Sequence, residues 1–176
     1  MSDKLHLGCG TDIRPGYVNV DLVKLPGVDI AHDLNKRPWP LPDNKFNEII
    51  LTHVLEHLLD TTAVMGELWR VCAPGGRLKL RVPYWNASDF ITDPTHVKAF
   101  NEHTFDFFDP THRRCQERPY YSPARFRIDK RAYHVKVFGR YFRFEAKPIL
   151  FVLECLAAHF CNVIQVLEFE LVAVKS

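Results

Sequence analysis

Three groups of residues in this 176-residue chain have types and spacings that do chemistry. The first is Gly8-Cys9-Gly10, which follows the short apolar run Leu5-His6-Leu7. A glycine turn at the end of a strand lets a ligand approach the backbone where a Cβ would block it. The alternating, β-branched run from Tyr17 to Val20 then ends on Asp21, and a weaker run from Val28 ends on Asp33. A carboxylate closing the second strand is placed to accept both hydroxyls of a ribose. The full dinucleotide fingerprint is absent, because Ile13 stands at the third glycine position. Asp21 also follows the turn much sooner than the ~20 residues expected of nicotinamide enzymes.

The second group is His53-Val54-Leu55-Glu56-His57, which matches the H-x-x-E-H signature of inverzincin metallopeptidases. That signature needs both histidines within one helix, whereas His53 follows directly on the apolar strand Glu48 to Leu51. Glu56 and His57 therefore read as a polar pair at a helix start, and no metal is expected. The third group is Asp93-Pro94-Thr95-His96, a turn followed by a histidine. A histidine that titrates near neutrality can remove a substrate proton, which makes His96 the candidate catalytic base. The plainer alternative is that Asp93 caps a short helix and His96 is bonded locally.

These groups need elements to hold them. Pro38, Pro40 and Pro42 make Asn35 to Lys45 a loop. Val64, Leu68 and Val71 recur at helical spacing after Asp60, a good N-cap, and Pro74-Gly75-Gly76 ends that helix. Leu78, Leu80 and Val82 alternate in a fifth strand. Beyond Trp85 the chain is aromatic, basic and interrupted by prolines. A helix from about Ile149 to Ile164 and a strand from Glu168 to Lys175 close it. The expectation is one α/β domain, a Rossmann-like, doubly wound, mostly parallel sheet with shortened first crossovers and an antiparallel C-terminal strand. Its parts are a ligand-binding half over 1–84, an insertion over 85–143 and a closing helix and strand over 144–176.

Composition narrows the classes. Hydrophobic residues make up 47% and charged residues 25%, a globular balance. The opening MSDKLHLG lacks a leader pattern, and Glu154, His159, Asn162 and Gln165 interrupt the longest apolar stretch, so neither a secretory leader nor a membrane span is expected. Five scattered cysteines without CxxC fit reduced thiols and a cytoplasmic location. The positive charge is concentrated in residues 112–143, with 10 Lys or Arg against 2 Asp or Glu, which favours an anionic partner.

LHLGCG, YVNVDL, AHDL, LPDNKFNEIILTHVLEHL and ELWRVCAPGGRLKLRVP, in that order, resemble the class I S-adenosylmethionine-dependent methyltransferases of the type 11 methyltransferase-domain group. The resemblance covers roughly residues 4–84. It implies S-adenosyl-L-methionine as cofactor, with Gly8, Cys9 and Gly10 along the methionine moiety and Asp21, followed by Leu22, on the ribose. It also implies Asp33 and Leu34 at the adenine, and Thr52 and His53 at the methionyl end. His6 stands where the family usually has an acid for the methionine ammonium, and the first two crossovers are short.

The function expected is methyl transfer to a small, anionic metabolite, with Tyr84, Trp85 and Asp93 at the acceptor. Nucleic acid is not favoured, because the chain reads Thr52-His53-Val54-Leu55 where amino-methylating nucleic-acid enzymes carry an Asn-Pro-Pro-Tyr-type motif. An exposed C-terminal helix would favour a homodimer. The first alternative is a methyltransferase-like binding module without catalysis that acts through a protein partner. The more remote one is a zinc hydrolase using His53, Glu56 and His57.

Overall fold

Short apolar strands paired in parallel form the first half of the sheet. In the computed structural model, which describes residues 2–175, β1 (Lys4–Leu7) lies between β2 (Val18–Asp21) and β4 (Phe46–Thr52). β3 (Ile30–Ala31) adds two residues at the edge. Asp60 caps α1 (Thr61–Val71), its Oδ1 accepting from the Ala63 N–H at 3.0 Å. Pro74-Gly75-Gly76 already belongs to β5 (Cys72–Pro83), where a Cβ on Gly76 would lie 2.8 Å from the Phe46 carbonyl oxygen. The helix has therefore ended at Val71, before the Pro-Gly-Gly run, and Gly76 serves the close approach of β4 to β5 instead.

The 85–143 insertion contains α2 (Ser88–Thr92), α3 (Arg113–Glu117), β6 (Phe126–Val137) and most of β7 (Arg140–Phe144). α4 (Lys147–Ala157) is shorter than its apolar run. The N–H groups of His159 and Phe160 both turn back to the Leu156 carbonyl, and Asn162 at φ +62° redirects the chain. Apolar periodicity continues through that reversal, so it does not show where the helix stops. β8 (Val166–Ala173) then inserts antiparallel between β5 and β6. The sheet order is β3-β2-β1-β4-β5-β8-β6-β7. This is the expected Rossmann-like, mostly parallel arrangement with short first crossovers and an antiparallel closing strand, to which a β6–β7 hairpin is added at the edge.

The two sheet faces differ. Ile49 and Leu51 of β4, Leu78, Leu80 and Val82 of β5, and Leu167, Phe169 and Leu171 of β8 are buried on one face, in one core with Val64, Leu68 and Val71 of α1. α4 packs on that face too, through Leu150 and a Tyr133 hydroxyl bond to Glu154. The other face carries Glu48, Arg77, Lys79, Arg81, Glu168 and Glu170, so β4 is not covered on both sides as its short apolar run suggests. Glu168 accepts from Arg81 at 2.8 Å, Arg143 at 2.9 Å and His134 at 3.0 Å. Lys79 pairs with Glu48, and Arg77 with Asp129 and Glu170.

Burial opposes ionisation of Glu168, but the hydrogen bonds from Arg143 and His134 and the charge of Arg81 outweigh it and hold its carboxyl at about 2. A folded-state value below the unfolded one means stability that is complete above about pH 4.5 and is lost as pH falls toward 2. Thermal unfolding of the wild type is therefore expected to drop more steeply between pH 5 and 2 than that of Glu168→Gln. Parallel slopes would mean the three cations do not stabilise the ionised carboxylate.

Candidate functional site

The C-terminal ends of β1, β2, β3 and β4 meet at a cavity of about 280 Å³. Gly8, Asp21, Leu22, His32, Asp33, Leu34, Asn35, His53, Val54, His57 and Leu58 line it. The turn after β1 is drawn tight by a bond from the Gly10 N–H to Asp21 Oδ2 at 2.7 Å. Val23 N–H donates to the other Asp21 oxygen at 3.2 Å. Each carboxylate oxygen has two lone-pair directions, so Asp21 keeps acceptor capacity toward the cavity. Asp33 is similar, with Oδ1 accepting from the Asn35 N–H at 3.0 Å. The far wall is pinned by Leu59 N–H to Asn35 Oδ1 at 2.9 Å and by Trp39 Nε1–H to the Leu34 carbonyl at 3.1 Å.

Gly8, Asp21, Leu22, Asp33, Leu34 and His53, all named from the sequence, share this cavity. The other residues expected at the cofactor do not line it. The Cys9 side chain is buried beneath the turn, where desolvation pushes its thiol upward, and Gly10 serves through its N–H. Thr52 is a correction. Strand alternation sends it to the opposite sheet face, in a cleft with Ile50, Lys79, Arg81 and Glu168. His6 also points away from the cavity. It is buried at 2% exposure beside Tyr17, its Nδ1 has no partner, and burial lowers its pKa.

On the acceptor side, Tyr84 is a second correction. It is core, 2% exposed, bridged to Phe100 and bonded through its hydroxyl to Glu102 at 3.0 Å. Desolvation pushes that phenol up to about 12. Trp85, next in sequence, is exposed. Asp93 forms a turn by accepting from the Thr95 N–H and hydroxyl, with no helix after it. His96 is held by its Nδ1 on the Phe90 carbonyl at 2.9 Å and stacks on the Phe90 ring. The plain local-bonding expectation for His96 thus describes one side of its ring. Its other nitrogen, Nε2, lies 4.0 Å from Glu56 Oε1 and 3.8 Å from Asp93. The 93–98 loop is tied to the β4–α1 connection by Val97 and Lys98 N–H bonds to the Glu56 carbonyl.

His32, Asn35, Val54, His57 and Leu58 line the cavity without having been singled out for it. For His32, Asn35 and Val54 the sequence signal was adjacency, since each flanks a residue placed there by the strand ends, whereas His57 and Leu58 are brought in by the short helical turn Leu55–His57. The basic segment, by contrast, stays away from the cavity. Arg131 pairs with Asp106, Arg125 donates to the Ser122, Ala124 and Pro119 carbonyls, and Lys130 pairs with Glu170.

Gly8 is needed for packing as well as for access. At φ +64° it lies in the left-handed region, and an added Cβ would stand 2.3 Å from Val54 Cγ2. Gly8→Ala is expected to lower stability by at least the ~1–2 kcal/mol of left-handed strain, read by denaturant unfolding. Gly8→Ala/Val54→Ala should lose less than the sum of the single substitutions, because the second removes the clash. Additive losses would show that the two residues do not touch.

Residues 7–80 match the methyltransferase domain family. A probable S-adenosylmethionine-dependent methyltransferase of Mycolicibacterium smegmatis is 28% identical over 120 residues, 56% of this chain and 46% of the relative, so the match spans just under half of that protein. Among solved structures, a SAM-dependent methyltransferase of Archaeoglobus fulgidus superposes with a TM-score of 0.64 at 16% identity, covering 96% of this chain and 85% of the other. The cyclase SpnF superposes with a TM-score of 0.59 at 14% identity, covering 98% and 74%. At such identities the superpositions show fold alone, and the sequence match lies in the half that builds the cavity. Residues 7–80 thus match the methyltransferase domain family, and the whole chain has the Rossmann-like fold of the S-adenosylmethionine-dependent methyltransferases.

Proposed function

We propose that the protein transfers a methyl group from S-adenosyl-L-methionine to a small acceptor. The observation that carries this reading is the convergence of Gly8, Asp21, Asp33 and His53, from four successive strand ends, on one cavity. The residues present suit the cofactor. Gly8 and Gly10 leave the first turn open to a backbone approach, and nothing would stand within 4 Å of a Cβ on Gly10. Asp21 would accept the ribose hydroxyls and Asp33 the adenine amino group. Leu34, Val54 and Leu58 offer apolar surface to the ring.

When bound, the cofactor supplies an electrophilic methyl group on a sulfonium. The chain's own work is to hold the acceptor in line with that methyl and to exclude water, the orientation effect that carries most of the acceleration in such displacements. His53 and His57 line the cavity, and His96 lies behind them. His96 is the proposed proton acceptor for an acceptor that must lose a proton, with Trp85 and Asp93 flanking its entry. An anionic metabolite remains the proposed acceptor. The only lining side chains able to carry positive charge are imidazoles, so a carboxylate or phosphate would meet His32, His53 or His57, protonated on both nitrogens, rather than the arginines of 112–143.

The second reading, a binding module without turnover, is favoured by one observation: His6, at the position where the family usually holds an acid, is buried and turned from the cavity. Calorimetric titration with S-adenosylhomocysteine tests the first reading. Micromolar binding is expected for the wild type, and Asp21→Ala should weaken it by about 10–100-fold, the loss of one charge-assisted hydrogen bond. No binding to folded wild type at millimolar ligand would overturn the enzyme. Binding without methyl transfer to any acceptor of a cell extract would leave the binding module.

A further inference from the structure

Glu56 is the most deeply buried carboxylate beside the cavity, at 0% exposure, and its Oε2 has no hydrogen-bond partner. A buried, half-satisfied carboxylate is costly unless a cation answers it. The groups facing it are three imidazoles. His53 Nδ1 is 3.1 Å from Oε1, His96 Nε2 is 4.0 Å from Oε1, and the His57 and His96 rings meet edge to face with centroids 4.7 Å apart. One ligand atom from each of Glu56, His57 and His96 lies within 4.8 Å of the other two.

The hydrogen bonds on the far sides of these rings fix their tautomers. The Phe90 carbonyl can only accept, so His96 Nδ1 carries the proton and Nε2 keeps its lone pair. The Thr95 hydroxyl spends its single proton on Asp93 Oδ1 at 2.6 Å, so it accepts from His57 Nδ1–H at 2.9 Å. His57 Nε2 is therefore left with a lone pair as well. Each imidazole thus donates from Nδ1 to an oxygen, the orienting arrangement that accompanies ligating histidines. The His57–Thr95–Asp93 chain places a carboxylate at its end. Two separate segments supply the three side chains, and the Val97 and Lys98 N–H bonds to the Glu56 carbonyl hold them in register.

We propose that Glu56, His57 and His96 bind a divalent transition-metal ion, with zinc the best fit. Two imidazoles and one carboxylate form a three-ligand set that leaves a coordination position open. In this reading Glu56 is a ligand and His53 a partner of its other oxygen, unlike the H-x-x-E-H arrangement, in which both histidines of the motif bind metal and the glutamate acts as a base. His57 also lines the cavity, so the ion stands at the cavity wall. The site stands on its own geometry and does not depend on methyl transfer; an ion on His96 Nε2 occupies the lone pair that a proton acceptor needs, so His96 serves as base only in the metal-free protein.

The test uses the full chain stripped with a chelator and titrated calorimetrically with zinc, alongside visible absorption after cobalt(II) loading. One equivalent is expected to bind, and His57→Ala and His96→Ala should each weaken it by at least about tenfold. Thr95→Val removes only the orienting oxygen at an exposed position, and should cost about 10–100-fold while the fold is kept. Absence of stoichiometric binding to folded wild type overturns the site, as does affinity unchanged in both histidine variants. Zinc lost instead in Cys155→Ser or Cys161→Ser, whose thiols are exposed, would place it on those side chains and equally overturn it. S-adenosylhomocysteine titration of the metal-free protein separates the two questions, since its success or failure bears on the methyltransferase reading alone.

Discussion

Ten residues join β1 to β2 and eight join β2 to β3, and that shortness governs the rest of the architecture. Parallel neighbours ordinarily need a crossover of a dozen or more residues, usually a helix that covers the sheet. Here strands of four and two residues are short enough for a loop to return along them. The face that such helices would cover is left to Arg14 and Tyr17 from the first loop and to the strands themselves. β5 answers by alternating Arg77, Lys79 and Arg81 with Leu78, Leu80 and Val82, and β8 by alternating Glu168 and Glu170 with Leu167, Phe169 and Leu171. Each exposed pair contributes little alone, about 0–1 kcal/mol. Together they let a central strand stand half in water without an unpaired charge.

The same shortness shapes the cavity. With no first helix beneath the glycine turn, the turn is held by Asp21, whose two oxygens tie the backbone of Gly10 and Val23 to the end of β2. One side chain thus braces the loops that a helix would brace and still presents lone pairs to a ligand. The opposite wall depends on the proline-rich 35–45 segment. Arg70 on α1 donates to the Trp39 and Leu41 carbonyls and pairs with Glu67, which in turn accepts from the Trp39 N–H. That wall of the cavity is therefore tied to α1, although it is built from loop.

Much of this was legible in residue order. The strand ends, the N-cap at Asp60 and the residues Gly8, Asp21, Asp33 and His53 follow from local rules, because a strand end, a cap and a glycine turn depend on neighbours in sequence. Thr52 was misplaced because its side depends on the pairing of β4 with β5, where Thr52 lies opposite Arg81. Tyr84 was misplaced because Phe100 and Glu102, which bury it and bind it, arrive from a later segment. The end of α4 was invisible because its apolar residues run on past the turn at Asn162.

The sequence by itself determined the resemblance of residues 4–84 to the methyltransferase domain, the succession of the strands along the first half and the two carboxylates at or just past the ends of β2 and β3. Those are properties of short segments and of the motifs LHLGCG and AHDL. Only the tertiary structure decided that one sheet face stays polar and open. The alternation in β5 states that two faces differ, but which helices lie on which face is a matter of packing. Tertiary structure alone also brought His96 to Glu56 and His57. His96 lies forty positions beyond Glu56 in the chain, and the Glu56 carbonyl joins the two segments by accepting from Val97 and Lys98. Nothing in the spacing of the letters encodes a contact made by backbone across that distance.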